Sequence, residues 1–149
     1  MSDVVEDIKE IIAELVAFGN DHLNEVRKAF GDEILKNSLA LIINDVGDKF
    51  GFMVRGGRFR MIEGDEVNNI VPTAVVSMPS GFFNDLITAI VMGEEGEWEV
   101  KVWEGYQTYK IQVTSVDGVP YIHYKNLMSI VKWLYNKLQE AGDEENGEE

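Results

Sequence analysis

The side chains that could support acid–base or metal chemistry are few in this sequence and widely spaced. His22 and His123 are its two histidines and lie in opposite parts of the chain, and cysteine is absent. The lack of cysteine excludes disulfides, thiolate catalysis and cysteine-ligated zinc or iron–sulfur sites. The motifs HExxH, GxxxxGK[ST] and GxSxG and the EF-hand calcium loop do not occur. Hydrolase or transferase chemistry, which requires a nucleophile beside a base, is therefore the least supported class of function.

We accordingly predict no catalytic residue, no metal ligand and no cofactor, although a metal site built from carboxylates alone remains an open alternative. His123 is expected to point outward from a strand. Asp45 and Asp48 are expected to be turn residues rather than a paired acid and base.

A basic segment stands out in a chain that is otherwise strongly acidic. The stretch 49–60 carries Lys49, Arg55, Arg58 and Arg60 and contains no acid. Like charges placed directly across a hairpin destabilise it by up to about 1 kcal/mol, so some compensation is expected. One interpretation is that nearby acids neutralise the arginines: Glu63, Asp65 and Glu66. The other is that three arginines, Arg55, Arg58 and Arg60, bind an anion such as a lipid headgroup, a fatty carboxylate or a thioester phosphate.

The stretch 72–93, PTAVVSMPSGFFNDLITAIVMG, predicts a short strand followed by a helix with a broad apolar face. At 100° per residue its apolar side chains cover an arc of roughly 200°, whereas a stripe of ~100° suffices against one core. They are Phe82, Phe83, Leu86, Ile87, Ala89, Ile90 and Val91. Such a helix has to bury a second surface against a ligand, another layer of the fold or another chain. A final helix expected at 126–139, ending before Gly142, has a similarly broad arc.

The remaining elements are predicted from periodicity and turn signals. An amphipathic helix is expected at 4–18, broken by Gly19 and Asn20, and a shorter one ends at Phe30 before Gly31. Strands are expected at 39–44, 50–55, 58–63, 98–103, 109–114 and 121–124. A Gly56-Gly57 turn would place Phe52 opposite Met61 and Val54 opposite Phe59 on the core side. The predicted fold class is α+β, a mostly antiparallel sheet of five to seven strands with helices on one face.

Charge and hydropathy exclude several classes of partner. The chain has 27 acidic and 13 basic residues, a net charge of −14, and a field that repels nucleic acid and anionic membranes. No apolar run approaches the roughly 20 residues of a membrane-spanning helix, and the acidic start is unlike a signal peptide. We therefore predict a cytoplasmic protein with one domain at 1–139. Six of the last ten residues are acidic, and 140–149 is predicted to be a disordered tail.

The order of elements in residues 38–93 resembles that of the type-two sterol carrier protein (SCP2) family. The segments concerned are SLALIIND, FGFMVRGG, RFRMIEGD, PTAVVSM and FFNDLITAIVMG. The resemblance matches Ser77 to the family's capping serine, Phe82 or Phe83 to its aromatic residue and Gly93 to its terminal glycine.

This resemblance implies a non-catalytic protein that holds or transfers an apolar small molecule in a tunnel between helices and sheet. The ligand would be a fatty acid, an acyl thioester or a sterol-like molecule. The residues expected to line the tunnel are Phe82, Phe83, Leu86, Ile87, Ile90, Met92, Trp98, Leu127, Val131 and Leu134. The alternative is an oligomerisation or adaptor domain, such as a homodimer, in which the broad helix faces, with Trp133 and Tyr135, pack against another chain.

Overall fold

The computed structural model describes residues 2–32, 36–45, 47–70, 72–93, 96–108 and 110–147, and the side chains of those between 5 and 142. Within these ranges the helices are α1 (Ser2–Asp21), α2 (Leu23–Phe30), α3 (Glu66–Asn69), α4 (Ser80–Met92), α5 (Glu97–Gln107) and α6 (Pro120–Gly147). The strands are β1 (Leu39–Ile43), β2 (Phe50–Arg55), β3 (Arg58–Glu63), β4 (Ala74–Met78) and β5 (Gln112–Ser115).

The five strands form one sheet in the order β3-β2-β1-β4-β5. Neighbouring strands are antiparallel except β1 and β4, which run parallel because α3 and its flanking loops carry the chain back across the sheet. All five residues of the central strand β1 are buried, as its unbroken apolar sequence predicts. The predicted fold class, α+β with a mostly antiparallel sheet, is confirmed.

The β2–β3 hairpin has the predicted turn and register. Phe52 lies opposite Met61 and Val54 opposite Phe59. Gly56 and Gly57 both have positive φ angles, 61° and 78°, which a two-residue turn between right-twisted strands requires. Because side chains alternate along a strand, this register places Phe52, Val54 and Phe59 together on the helix-covered face.

The long helices α1 and α6 cover one face of the sheet, α1 over β2 and β3 and α6 over β1, β4 and β5, and α4 packs against both of them. Their buried apolar side chains form a core with the inward residues of the strands. The opposite face has a smaller cluster beneath the short helix α3: Ile42, Met53, Ile62 and Val67. Most of the buried apolar side chains therefore lie in one core on the helix-covered side of the sheet.

The predicted break after the first helix is wrong, because α1 continues through Gly19 and Asn20 to Asp21. A Cβ at position 19 would lie 2.6 Å from the ring of Phe59, so the glycine lets the helix approach β3. Asn20 uses its amide to bond the same strand, through Nδ2 to the Phe59 carbonyl (3.0 Å) and through Oδ1 to the Phe59 N–H (2.9 Å). Gly19 and Asn20 thus dock α1 on β3 instead of ending it, and α2 ends at Phe30 as predicted.

Two of the predicted strands are helical. The segment 98–103 belongs to α5, in which Trp98, Val102 and Gly105 are buried at helical spacing. The segment 121–124 is the start of α6, whose first residue, Pro120, suits the first helical position because it has no N–H to leave unpaired there. The strand predicted at 109–114 is found at Gln112–Ser115, and Tyr109 lies outside the described residues.

The last helix is also longer than predicted. It begins at Pro120 rather than near residue 126 and continues past Gly142 to Gly147. The prediction that it ends before Gly142 is therefore wrong. Disorder of the acidic tail stays a prediction, since the side chains from 143 onward lie outside the described part.

Candidate functional site

The start of α4 is fixed by a carboxylate from a distant turn. Asp45 accepts hydrogen bonds from the Ser80 N–H at Oδ1 (2.9 Å) and from the Ser80 hydroxyl at Oδ2 (3.0 Å). Asp45 therefore caps this helix in addition to lying in the turn after β1. The assignment of Ser77 as the capping serine is wrong, because Ser77 lies in β4 and its Oγ accepts a bond from the Asn44 amide (2.7 Å). Gly93 does end the helix, as predicted.

The broad apolar face of α4 is covered by other elements of the same chain. Its buried side chains are Phe82, Phe83, Leu86, Ile87 and Ile90. The helix contacts α5 on one side and α1 and α6 on others. Gly105 of α5 allows α5 to approach α4 closely, since a Cβ there would collide with the Phe82 ring. Another layer of the fold, one of the three predicted means of burial, therefore covers this face.

The ten residues predicted to bind an apolar ligand divide into two groups. Nine are at most 7% exposed and belong to one continuous core between helices and sheet: Phe82, Phe83, Leu86, Ile87, Ile90, Trp98, Leu127, Val131 and Leu134. The tenth, Met92, is 81% exposed. The structure thus brings the nine together as packed core side chains, and the tunnel that the resemblance implies stays a prediction.

An open groove of about 740 Å³ lies between α4 and α5. Its apolar contacts come from Ala89, Met92 and Val100, and two glycines, Gly93 and Gly96, lie at the connection between the helices. Its remaining lining residues are polar or charged: Asp85, Thr88, Glu97, Lys101 and Glu104. Of these lining residues, only Met92 is among the ten that the sequence predicts to bind an apolar ligand. The signals for a helical α5 were Glu97 and Glu99 in its first turn, where carboxylates favour the helix N-terminus.

Two aromatic residues of the core carry buried polar atoms. The indole Nε1 of Trp98 and the hydroxyl of Tyr124 have no hydrogen-bond partner among the described residues. Lys132 Nζ lies 4.9 Å from the ring centroid of Trp98, a cation–π distance. Burial raises the pKa of Tyr124 above its ordinary value of 10.0, and the neighbouring Tyr121 adds to the shift. Tyr124 is therefore held in its neutral form.

The prediction that His123 points outward from a strand is wrong. It lies in α6, is 5% exposed, and its Nε2 is 2.6 Å from Oδ2 of Asp117. The hydrogen bond from His123 lowers the pKa of Asp117. His22 is also structural, since its Nδ1 lies 2.9 Å from the Phe18 carbonyl and its ring stacks on Phe18. Within the described ranges no group of three or more His, Cys, Asp or Glu residues is arranged to hold a metal ion.

The arginines of the hairpin fall into two classes. Arg60 is neutralised by Glu66, whose Oε2 lies 2.7 Å from its Nη2, so the first interpretation holds for this residue. Arg55 and Arg58 face each other across the turn, and neither forms an ion pair with a carboxylate of the described part. The predicted trio is therefore reduced to two unneutralised arginines.

Comparisons with known proteins give the fold. No protein-family model matches the sequence, and curated proteins give no match. One similar solved structure is described as the ubiquinone synthesis protein UbiJ-SCP2, with a TM-score of 0.55, 9% identity, and coverage of 85% of this chain and 89% of that one. Another is a conserved hypothetical protein of Thermus thermophilus suggested to be a sterol carrier protein (TM-score 0.48, 13% identity, 82% and 86% coverage).

The likeness to UbiJ-SCP2 confirms the predicted resemblance at the level of fold, and the fold of this chain is SCP2-like. In the part of the chain that the structure describes, no helix is both long and apolar enough to cross a bilayer.

Proposed function

We propose that this protein binds an apolar small molecule with an extended hydrocarbon part, such as a fatty acid or acyl thioester, and carries it without catalysis. The observation that carries the proposal is the open α4–α5 groove, in which Met92 and Val100 are 81% and 56% exposed. Large apolar side chains that face water beside a concave surface favour ligand binding. Each Å² of apolar surface that a ligand covers contributes about 25 cal/mol of favourable free energy. The SCP2-like fold of this chain, which is similar to that of UbiJ-SCP2, supports the same proposal.

The charges of the groove orient the ligand. Asp85, Glu97 and Glu104 surround its apolar strip and disfavour a carboxylate or phosphate nearby, whereas Lys101 is the one basic residue among its described lining residues. A fatty carboxylate would therefore lie toward Lys101, and the hydrocarbon would run along Ala89, Met92 and Val100. The nine buried residues predicted from the sequence belong to the core behind this surface, and a ligand that penetrates between the helices would reach them.

The test is displacement of a fluorescent fatty acid from the purified protein, together with native mass spectrometry for co-purified lipid. Met92→Glu and Val100→Glu place a charge on the apolar strip and are expected to weaken probe binding at least tenfold. Val116→Glu is the matched control, because Val116 is 79% exposed and lies outside the groove. The proposal fails if wild-type protein binds no apolar probe, or if all three variants bind it equally.

A second candidate function is the oligomerisation or adaptor role. Four exposed apolar side chains surround the start of α6 and favour it: Trp103, Val116, Val119 and Ile122. Trp103 also contacts Tyr121, with ring centroids 5.2 Å apart, which gives this surface a fixed aromatic centre. Sedimentation velocity of wild type and Ile122→Glu tests it. A dimer that Ile122→Glu dissociates supports this role, and a monomer at high concentration contradicts the homodimer.

We also propose that residues 1–139 act as one domain in the cytoplasm. The acidic composition supports this location, because a net charge of −14 favours solubility and opposes adsorption to anionic surfaces.

A further inference from the structure

We propose that a pocket between α2 and the β2–β3 turn binds the phosphate group of a small molecule. This hairpin pocket is a concave space of about 480 Å³ lined by Arg27, Asp32, Lys36, Gly56 and Gly57. Among the described residues it shares no lining residue with the α4–α5 groove, so the proposal goes beyond the function proposed above and does not rest on it.

The donors that line the hairpin pocket suit a phosphate. Arg27 of α2 lies against the turn, since a Cβ at Gly57 would be 3.5 Å from its Nη2. Lys36 approaches from the segment before β1. Neither forms an ion pair with a carboxylate of the described part, including Asp32, which lines the same space. A guanidinium and an ammonium on two sides of one pocket offer hydrogen bonds to several phosphate oxygens at once.

The turn itself offers two backbone N–H groups and carries local positive charge. The N–H groups of Gly56 and Gly57 make no turn or loop bond to another backbone group of the described chain. Successive N–H groups in such turns can bind anions. Arg55 and Arg58 bracket the turn from the other face of the hairpin and act through their field, which extends about 8 Å at physiological salt. Two basic residues, Arg27 and Lys36, thus line the hairpin pocket, and two more, Arg55 and Arg58, flank the turn that forms part of its wall.

Charge also decides the kind of phosphate compound. An anionic bilayer would meet the field of the whole molecule, whose net charge is −14, and would be repelled. A single phosphate group on a small molecule interacts chiefly with the positive charges nearest to it, those of Arg27 and Lys36. We therefore assign the pocket to a small phosphorylated compound rather than to the headgroups of an anionic membrane.

The test follows the backbone amide resonances of Gly56 and Gly57 by NMR while inorganic phosphate replaces chloride at constant ionic strength. We expect saturable shifts of both amides in the wild type, and an affinity about tenfold weaker in Arg27→Gln and in Lys36→Gln. Arg60→Gln is the matched control, because Arg60 lies on the same hairpin but is paired with Glu66, and it should bind phosphate like the wild type.

A parallel experiment measures co-sedimentation with phosphatidylcholine vesicles, with and without phosphatidylglycerol. The proposal is overturned if phosphate leaves both amides unchanged, if Arg27→Gln and Arg60→Gln bind phosphate equally, or if only the anionic vesicles bind. Lys36 is exposed, so Lys36→Gln keeps the test decisive should Arg27→Gln fail to fold.

Discussion

The imidazole of His123 donates a hydrogen bond from Nε2 to Oδ2 of Asp117 across 2.6 Å. The second carboxylate oxygen, Oδ1, accepts the N–H of Val119 at 3.2 Å. One acid therefore binds both a buried side chain of α6 and the backbone just before that helix. This pair connects the end of β5 to the first turn of the longest helix.

Replacing Asp117 with Asn is expected to lower the midpoint of urea unfolding at neutral pH, because the charged partner of His123 is lost. The pKa of Asp117 is lowered in the folded state below its ordinary value of 3.8. Its stabilising contribution is therefore fully present above pH 3.8 and is lost as the pH falls through the folded value. Unfolding curves of wild type and Asp117→Asn should converge at acid pH. A difference that grows on acidification would contradict this account.

Asn20 is expected to contribute more to the stability of the fold than other exposed or partly exposed residues near a helix end. Its amide makes both hydrogen bonds to the backbone of Phe59, 39 positions away, in the manner of a neighbouring strand. Asn20→Ala leaves the Phe59 N–H and carbonyl without these partners and should cost about 2 kcal/mol of unfolding free energy. Asn24→Ala, at an exposed position of α2, is the control and should change stability by less than about 0.5 kcal/mol. Equal effects of the two variants would refute the role of Asn20.

Local sequence patterns predicted the secondary structure correctly where only one type of element fits the pattern. The run LALII is too short for a typical helix and too apolar for an exposed strand, and it forms the buried centre of the sheet. In the β2–β3 hairpin, alternation and Gly56-Gly57 agree on one register, and the structure has that register.

The prediction of secondary structure failed where a helix and a strand fit the same sequence pattern equally well. In WEVKVW the apolar residues recur at every second position, but Trp98 and Val102 are also four apart, as on a helix face. Packing against α4 decides in favour of the helix, and Val100 is left exposed on the groove. The groove could not be predicted because it exists only if α5 is helical. The Asp45–Ser80 cap joins residues 35 positions apart and leaves no local signal.

Gly105 is expected to be intolerant of even one added methyl group. Ala is the better helix former by about 1 kcal/mol, but a Cβ at this position would collide with the ring of Phe82. Because that ring is buried in the core, we expect Gly105→Ala to destabilise the protein by about 1–2 kcal/mol in spite of its helix propensity. Phe82→Leu should cost less in the Gly105→Ala background than in the wild type. If the two changes in unfolding free energy are strictly additive in this double-mutant cycle, the added methyl group does not collide with the Phe82 ring.

The cap that Asp45 provides to α4 can be measured separately. Asp45→Ala removes both hydrogen bonds to Ser80 and should lower the unfolding free energy by about 1 kcal/mol, the usual effect of losing a helix cap. Because α4 forms one wall of the groove, hydrogen exchange of its first-turn amides should also accelerate. Asp48→Ala, in the same turn, is the matched control. If Asp48→Ala has the larger effect on α4, the assignment of the cap is wrong.

Tyr124 presents the reverse case, a polar group whose removal should stabilise the fold. Its side chain is fully buried, and its hydroxyl has no partner among the described residues. An unsatisfied buried hydroxyl costs about 1–3 kcal/mol, so Tyr124→Phe is expected to raise the unfolding free energy by about 1 kcal/mol.

The gain from Tyr124→Phe should increase at alkaline pH. Burial raises the pKa of Tyr124 above 10.0 in the folded state, whereas the unfolded chain loses this proton near 10.0. The contribution of Tyr124 to stability is thus constant below about pH 10 and declines above it. Urea titrations between pH 7 and 11 should show a smaller alkaline loss for Tyr124→Phe than for wild type. Tyr135→Phe, at a partly buried position of the same helix, is the matched control. Destabilisation by Tyr124→Phe at neutral pH would instead reveal that the hydroxyl has a partner in the folded protein.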